Sequence, residues 1–168
     1  KIFTLLCVLT LIVGLGILNI PVCAEEIPQD RQLPRLVDDA DLLTDSEEQE
    51  LNTELDEISE KQQCDVVVVT KNSLDGKSAQ DYADDFFDAI AENGDGVALL
   101  IDMQNREICI STGGIAIRYL TDARIEDILN DGYEPISDGE YEQCLSVMLK
   151  DVLVYYDEGI PSNQYEYE

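Results

Sequence analysis

The sequence contains no histidine at any of its 168 positions. Ser-His-Asp and Cys-His catalytic groups, and metal sites that depend on imidazole ligands, are therefore excluded within it. The G-x-G-x-x-G and Walker A patterns are also absent, which argues against nucleotide binding of the usual kinds. No cysteine begins a C-x5-R motif, so a cysteine-based phosphatase is excluded as well.

Basic residues are scarce. Lys and Arg number 10 against 37 Asp and Glu, and the net charge is −27. The negative electrostatic field of such a chain repels phosphate backbones and anionic headgroups. We therefore predict no nucleic-acid partner and no direct binding of anionic lipid by the domain. The same field attracts cations, although solubility alone accounts for most of the carboxylates.

Five cysteines are present, and two of them lie within the first 24 residues. The other three are Cys64, Cys109 and Cys144, an odd number, so at least one stays free unless it pairs between chains. No C-x-x-C motif occurs. Cys109 and Cys144 fall on apolar faces and are interpreted as small core residues. A disulfide between two of the three is the alternative in an exported protein.

Residues 1–24 carry no acidic side chain and are almost entirely apolar. They end in Val22-Cys23-Ala24, which places small residues three and one positions before a predicted cleavage point. We interpret the segment as a secretory signal peptide. The alternative is an uncleaved N-terminal anchor, because the apolar run is long enough to span a bilayer. Both interpretations predict an extracytoplasmic protein, either secreted or anchored on the outer face of the cytoplasmic membrane.

The rest of the sequence divides into three parts. Residues 25–35 hold Pro28 and Pro34 among polar residues and are predicted to be a linker. Residues 36–158 have the length of one ordinary domain. Residues 159–168 form a polar, tyrosine-rich tail that is predicted to have no fixed structure.

Capping signals predict the first two helices of the domain. Thr44 and Glu47 form a T-x-x-E capping box, and apolar residues at helical spacing follow it. This pattern predicts a helix over about 45–62. Ser78, three residues before Asp81, is predicted to cap a second helix.

Two further helices are predicted near the C-terminus. Thr121 and Asp122 are expected to cap the first of them, which Gly132 and Pro135 would end. A second capping box over residues 137–140 is expected to precede the last helix, which carries a long apolar stripe.

The strands follow from runs of apolar residues. Residues 65–70 are mostly valine, which predicts a strand buried on both faces in a sheet covered by helices. Residues 96–102 predict a second buried strand, and the alternating residues 106–112 a third that forms a hairpin with the second. A helix between two buried strands implies a parallel crossover. Residues 115–120 are ambiguous between a loop and a short edge segment. The predicted fold is α/β: a three-layer αβα domain with a small mixed sheet, a β-hairpin and helices on both faces.

The hairpin points to a candidate metal site. Residues 93–96 would lie beside residues 112–114 at one edge of the sheet, where glycines allow the backbones to approach closely. Asp122 could fold back to this edge, and a parallel sheet would bring Asp65 there too. Asp95 and Asp122 with nearby carbonyl oxygens would suit a hard cation such as Ca²⁺. The alternative is a turn role for Asp95 and a capping role for Asp122.

A second acidic group precedes the first helix, where Asp38, Asp39 and Asp41 could serve only for capping and solvation. A tight connection between that helix and the first buried strand would place this group near the opposite edge of the sheet. The residues alone therefore do not predict one site that uses both groups.

Seven segments carry a common signal: residues 35–44, 64–70, 76–86, 95–101, 106–114, 120–123 and 137–141. Taken together, they resemble the TPM domain family, whose members are exported or membrane-anchored domains of bacteria and thylakoid lumens. The resemblance covers about residues 36–158.

The resemblance implies a three-layer αβα domain with acidic loops that can hold a divalent cation such as Ca²⁺. By position, Asp39 matches the aspartate of the family's opening V-x-D motif, Asp95 the aspartate before the central strand, and Asp122 that of the T-D-A motif. The loop over residues 93–96 is shorter than the glycine-bearing loop usual in the family and so offers fewer ligand atoms. Family members include described acid phosphatases and photosystem II repair factors.

Two functions follow from these observations. The first is an extracytoplasmic module that binds a divalent cation and an envelope or membrane protein, in the maintenance of the envelope or of membrane proteins. The alternative is a metal-dependent acid phosphatase, in which two carboxylates hold a metal that activates water. Only Arg118 and Arg124 lie near the candidate site, and the net charge repels phosphate, so electrostatics favour the module.

Overall fold

A four-stranded mixed sheet is the centre of the fold in this computed structural model, which describes residues 34–91 and 94–162. The strands lie side by side in chain order: β1 (Leu36–Asp38), β2 (Asp65–Lys71), β3 (Gly96–Asp102) and β4 (Glu107–Gly113). Both β1 and β3 pair with β2 in parallel, whereas β4 pairs with β3 antiparallel. The predicted parallel crossover and hairpin are therefore confirmed.

Some of the predicted segments lie outside the described residues. These are the signal peptide over 1–24, the linker up to residue 33 and the tail from residue 163. Within the two described ranges, no helix combines the length and the apolar character needed to cross a membrane.

Helices cover both faces of the sheet. In the described ranges they are α1 (Asp45–Gln62), α2 (Ala79–Ile90), α3 (Ala116–Tyr119), α4 (Asp122–Asp138) and α5 (Tyr141–Glu158). The helix α2 packs on one face, and the other four contribute to the core on the opposite face. This arrangement confirms the predicted three-layer αβα fold.

The valine run of β2 shows why the strand has no polar alternation. Val66 and Val68 belong to the larger core, formed with α1, α4 and α5, while Val67 and Val69 pack on the side of α2. All four side chains are fully buried. A parallel strand covered on both faces buries every side chain, so both faces must be apolar.

The capping signals of the first two helices are confirmed. Thr44 Oγ1 accepts a hydrogen bond from Glu47 N–H at 3.4 Å, and Glu47 Oε2 accepts one from Thr44 N–H at 2.7 Å. Ser78 Oγ accepts from Asp81 N–H at 3.1 Å at the start of α2. These bonds satisfy amide groups that have no partner within the helix itself.

The prediction that Gly132 and Pro135 end a helix is wrong, because α4 continues through both to Asp138. A Cβ atom on Gly132 would lie 3.0 Å from Met148 Cγ and Sδ, so glycine here allows α5 to approach closely. The helix ends instead at Gly139, whose φ of 81° is left-handed, a common way for helices to end.

The capping box predicted over residues 137–140 is also wrong. Ser137 lies inside α4 and its hydroxyl donates to the Tyr133 carbonyl oxygen at 2.7 Å. Glu140 occupies the N-cap position of α5 and makes no side-chain capping bond. The ambiguous residues 115–120 contain the short helix α3, and β1 is an additional strand that the sequence pattern does not predict.

The three cysteines of the domain are free, so the alternative of a disulfide between two of them is not found. Cys64 and Cys144 are buried and Cys109 is half-buried. Burial raises the pKa of all three thiols, that of Cys144 to about 11. The thiols are therefore protonated at neutral pH and poor nucleophiles.

Asp151→Asn is expected to stabilise the protein at neutral pH by about 1 kcal/mol, because Asp151 Oδ2 is buried without a hydrogen-bond partner in the described structure. Burial and then the nearby Asp131 carboxylate on α4 raise the pKa of Asp151 above its usual 3.8, while Lys150 lowers it and Asp127 adds the smallest increase.

The sign of the pH dependence follows from this shift. The folded protein binds the Asp151 proton more tightly than the unfolded chain does. The free energy of unfolding therefore falls as the pH rises from the usual aspartate pKa to the raised pKa of Asp151. Urea unfolding of the wild type and of Asp151→Asn across that pH window should show a smaller loss of unfolding free energy in the variant. An equal pH dependence of the unfolding free energy in both proteins would contradict this account.

Candidate functional site

The edge where β2 and β3 begin brings together two residues of the predicted cation site. Gly96 pairs with Asp65 on one side and with Gly113 on the other. The Asp65 N–H donates to the Asp95 carbonyl oxygen at 2.9 Å, and Asp95 Oδ1 accepts from Ile115 N–H at 2.6 Å. The structure therefore places Asp65 and Asp95 beside the end of β4, as the hairpin geometry suggests.

Glycine at position 114 lets two oxygen atoms approach the same piece of backbone. A Cβ atom on Gly114 would lie 1.8 Å from Asp95 Oδ1 and 2.6 Å from the Gly94 carbonyl oxygen. The φ of Gly114 is 56°, in the left-handed region that glycine adopts without strain. A carboxylate oxygen and a backbone carbonyl that converge in this way are ligand types that Ca²⁺ uses.

A buried cation of the protein itself lies at the same edge. Arg35 is 8% exposed; its Nε lies 2.7 Å from Asp56 Oδ1, and its Nη1 lies 2.7 Å from Asp65 Oδ1. The guanidinium thus neutralises much of the charge of Asp65. The sequence interpretation missed this residue because it placed position 35 in the linker.

Asp122 is the first residue of α4, and its side chain is exposed. The capping bond is made by Thr121, whose Oγ1 accepts from Arg124 N–H at 3.4 Å. A carboxylate in the first helical turn also interacts favourably with the helix dipole. These observations agree with a helix-start role and leave a ligand role for Asp122 as a prediction.

Asp39 lies at the opposite edge of the sheet, just after β1 ends, and pairs with Lys71 Nζ at 2.5 Å. Hydrogen bonding to Asp39 raises the pKa of Lys71, whose ammonium also lies 5.8 Å from the centre of the Tyr82 ring. In residues 34–91 and 94–162, no three Asp, Glu or Cys side chains are grouped so that they could hold a metal ion. The three predicted ligands therefore do not form one cluster in this structure.

Asp38, next to Asp39, has a structural role. Its Oδ2 accepts hydrogen bonds from Leu42 and Leu43 N–H, both at 2.9 Å, and its Oδ1 accepts one from the Thr70 hydroxyl. The carboxylate thus joins the end of β1 to β2 and to the turn that leads into α1. This use of both oxygens agrees with the capping interpretation of this acidic group.

Arg124 is one of the two basic residues predicted to lie near the site, and it is bound to helix ends. Its Nη1 donates to the carbonyl oxygens of Tyr119, Tyr155 and Gly159 at 2.9–3.2 Å. Its Nη2 lies 2.8 Å from Glu158 Oε2, and the guanidinium carbon lies 4.6 Å from the centre of the Tyr155 ring. This side chain is therefore not available to a phosphate group.

Comparison with known proteins gives a consistent result. Residues 36–154 match the model of the TPM domain family. The UPF0603 protein YdjH of Bacillus subtilis (strain 168) is 31% identical over 159 residues, which cover 95% of this chain. The match covers 59% of that relative, so this chain spans well under two thirds of its length.

Solved structures with a similar fold include the N-terminal domains of two bacterial proteins. That of a protein from P. gingivalis has a TM-score of 0.65 and 21% identity, covering 80% of this chain and 88% of the other. That of the cg2496 protein from Corynebacterium glutamicum has a TM-score of 0.62 and 17% identity, covering 85% and 93%. At these identities the likeness shows the fold alone.

Proposed function

Because this chain belongs to the TPM domain family, we propose that it is an extracytoplasmic module that binds Ca²⁺ and engages an envelope or membrane protein. The Ca²⁺ would bind at the edge of the sheet where β2 and β3 begin and β4 ends, here termed the hairpin edge. The observation that carries the cation site is the convergence of Asp95 Oδ1 and the Gly94 carbonyl oxygen over Gly114. The extracytoplasmic location is supported by the signal-like residues 1–24.

The electrostatics of the domain support binding of a cation. The net charge is −27, and the described basic residues are largely engaged: Arg35, Lys61, Lys71, Lys77 and Arg124 each form an ion pair. The remaining carboxylates outnumber the free cations and create a field that concentrates divalent ions near the surface. In the proposal, Asp95 is the main ligand and Asp122 a second one, while Asp39 lies at the other edge and takes no part.

Calorimetric titration of the full chain with Ca²⁺ tests this site. Asp95→Asn is expected to abolish Ca²⁺ binding, because it removes the negative charge of the main ligand. The local structure should be kept, since the asparagine oxygen can still accept the hydrogen bond from Ile115 N–H. Asp122→Asn is expected to weaken binding. Glu126→Gln, which removes one charge from the same exposed surface of α4, is the matched control and should bind like the wild type.

Two outcomes would contradict the cation site. The first is an absence of binding heat at millimolar Ca²⁺ in the wild type. The second is equal binding by Asp95→Asn and Glu126→Gln, which would mean that the ion responds only to the general negative field. Either result would leave the domain as a protein-interaction module without a cation at this edge.

The alternative of a metal-dependent acid phosphatase has less support. A phosphate substrate needs cations to offset its charge, and Arg124 is committed to carbonyl oxygens and to Glu158. Arg118 is exposed on α3 and is the remaining basic residue named for this role. Hydrolysis of p-nitrophenyl phosphate that requires Ca²⁺ and disappears in Asp95→Asn would reverse this preference.

A further inference from the structure

A cleft of about 330 Å³ lies beside the turn that connects β3 to β4. This is the end of the sheet far from Asp95 and the proposed Ca²⁺ site. The C-terminal half of α4 and the start of α5 form its other wall. Its size falls in the range of pockets that hold small molecules or single side chains. The apolar side chains that line it are Ile101, Met103, Ile108 and Ile136.

Arg106 lines this cleft with an unusual backbone conformation. Its φ is 60°, in the left-handed region that glycine or asparagine normally occupies. The preceding turn is held by Asp102, whose Oδ1 accepts from Gln104 N–H at 2.9 Å and whose Oδ2 accepts from the Asn105 amide at 2.7 Å. The chain thus bears conformational strain at a position where glycine would avoid it, and an arginine side chain reaches the cleft as a result.

The charge of Arg106 is also distinctive. The side chain is exposed, and no ion pair is found for it in the described part of the chain, although acidic residues are in large excess. The Asp102 carboxylate is fully buried and committed to the turn. Glu107 also lines the cleft and is exposed, which disfavours a ligand with more than one negative charge.

We propose that this cleft binds a ligand that combines an apolar group with a single carboxylate. The apolar group would be buried against Ile101, Ile108 and Ile136, and the carboxylate would accept hydrogen bonds from the Arg106 guanidinium. This chemistry is shared by a free apolar acid and by the C-terminal residue of a polypeptide. The site is separate from the proposed Ca²⁺ site, because the two lie at opposite ends of β3.

The first test is an NMR titration of the full chain with N-acetyl-phenylalanine and, as a matched probe, N-acetyl-phenylalanine amide. The acid is expected to shift the methyl signals of Ile101, Ile108 and Ile136, and the amide to bind about tenfold more weakly or not at all, because it lacks the charge that pairs with Arg106. Equal shifts with both probes, or none with the acid at millimolar concentration, would overturn the proposal.

Variants separate binding from stability. Arg106→Gly should bind the acid at least about tenfold more weakly while its Tm stays equal or rises, because glycine relieves the left-handed strain. Arg118→Gln removes a similar exposed positive charge from α3 and should bind like the wild type. If Arg106→Gly keeps full affinity, the proposal is wrong.

The source of the carboxylate is distinguished with a short peptide that ends in phenylalanine. Tighter binding of the peptide acid than of N-acetyl-phenylalanine, with loss of binding on C-terminal amidation, would identify a polypeptide C-terminus as the ligand. Weaker binding of the peptide acid than of N-acetyl-phenylalanine would identify a free apolar acid. Both results require an intact Arg106 and support the shared chemistry of the site.

Discussion

Gly96→Ala is expected to lower the free energy of unfolding by about 3 kcal/mol, because there is no room for a side chain where β3 begins. A Cβ atom at this position would lie 2.0 Å from the Asp65 carbonyl oxygen and 2.8 Å from the Asp65 carbonyl carbon. Both are backbone atoms of the neighbouring strand and cannot rotate away. The parallel pairing of β2 and β3 would have to open at this end, which urea unfolding followed by circular dichroism would measure.

Gly76→Ala is the matched control. Gly76 has a φ of 87°, but no atom lies within 4 Å of the position that its Cβ would take. The substitution therefore has only the cost of the left-handed conformation, about 1 kcal/mol. If the two variants lose equal stability, close approach of the backbones is not the reason for glycine at position 96.

The stability of this strand pair also affects the proposed site. Gly96 stands between Asp65 and Gly113 in the sheet, so opening the pair would displace the Gly94 and Asp95 oxygens from Gly114. Gly96→Ala should therefore weaken Ca²⁺ binding in addition to destabilising the fold. Gly76→Ala should change Ca²⁺ affinity little.

The parts of the fold that could be predicted from sequence are those with strong local signals. The valine run of β2 and the Thr44 and Ser78 caps are short-range patterns, and the structure agrees with each. The strand β1 has no such signal, because three residues carry no periodicity of their own. Its identity depends on pairing with β2, where Leu36 lies opposite Val68.

The errors have nonlocal causes. Gly132 has the local pattern of a helix breaker, but the space beside it is filled by Met148 of the distant helix α5. The extension of α4 in turn forms one wall of the cleft near Arg106, so the cleft could not be predicted either. At the hairpin edge, the meeting of Asp95 with residues 113–115 was predictable from strand pairing, whereas the ion pair of Arg35 was not.

Arg35→Met is expected to destabilise the protein by about 3 kcal/mol, since it removes a buried guanidinium from two carboxylates. Arg35 lies 2.7 Å from both Asp56 Oδ1 and Asp65 Oδ1, and the Asp65 side chain is only 14% exposed. Methionine fills much of the same volume, so the loss reports on charge more than on packing. The double variant Arg35→Met/Asp65→Asn should recover part of the loss, and a double-mutant cycle with no coupling energy would contradict this account.

The same variant connects the ion pair with the proposed cation site. The guanidinium of Arg35 lies at the edge where Asp65 and Asp95 meet, so its removal leaves the Asp65 negative charge beside the Asp95 loop. Ca²⁺ should then bind more tightly and should raise the Tm of Arg35→Met more than that of the wild type, since a ligand that binds only the folded state stabilises it more when it binds more tightly. The gain should vanish when Asp65→Asn is added. An equal rise in Tm for all three proteins would mean that Ca²⁺ does not bind at this edge and that Arg35 serves the fold alone.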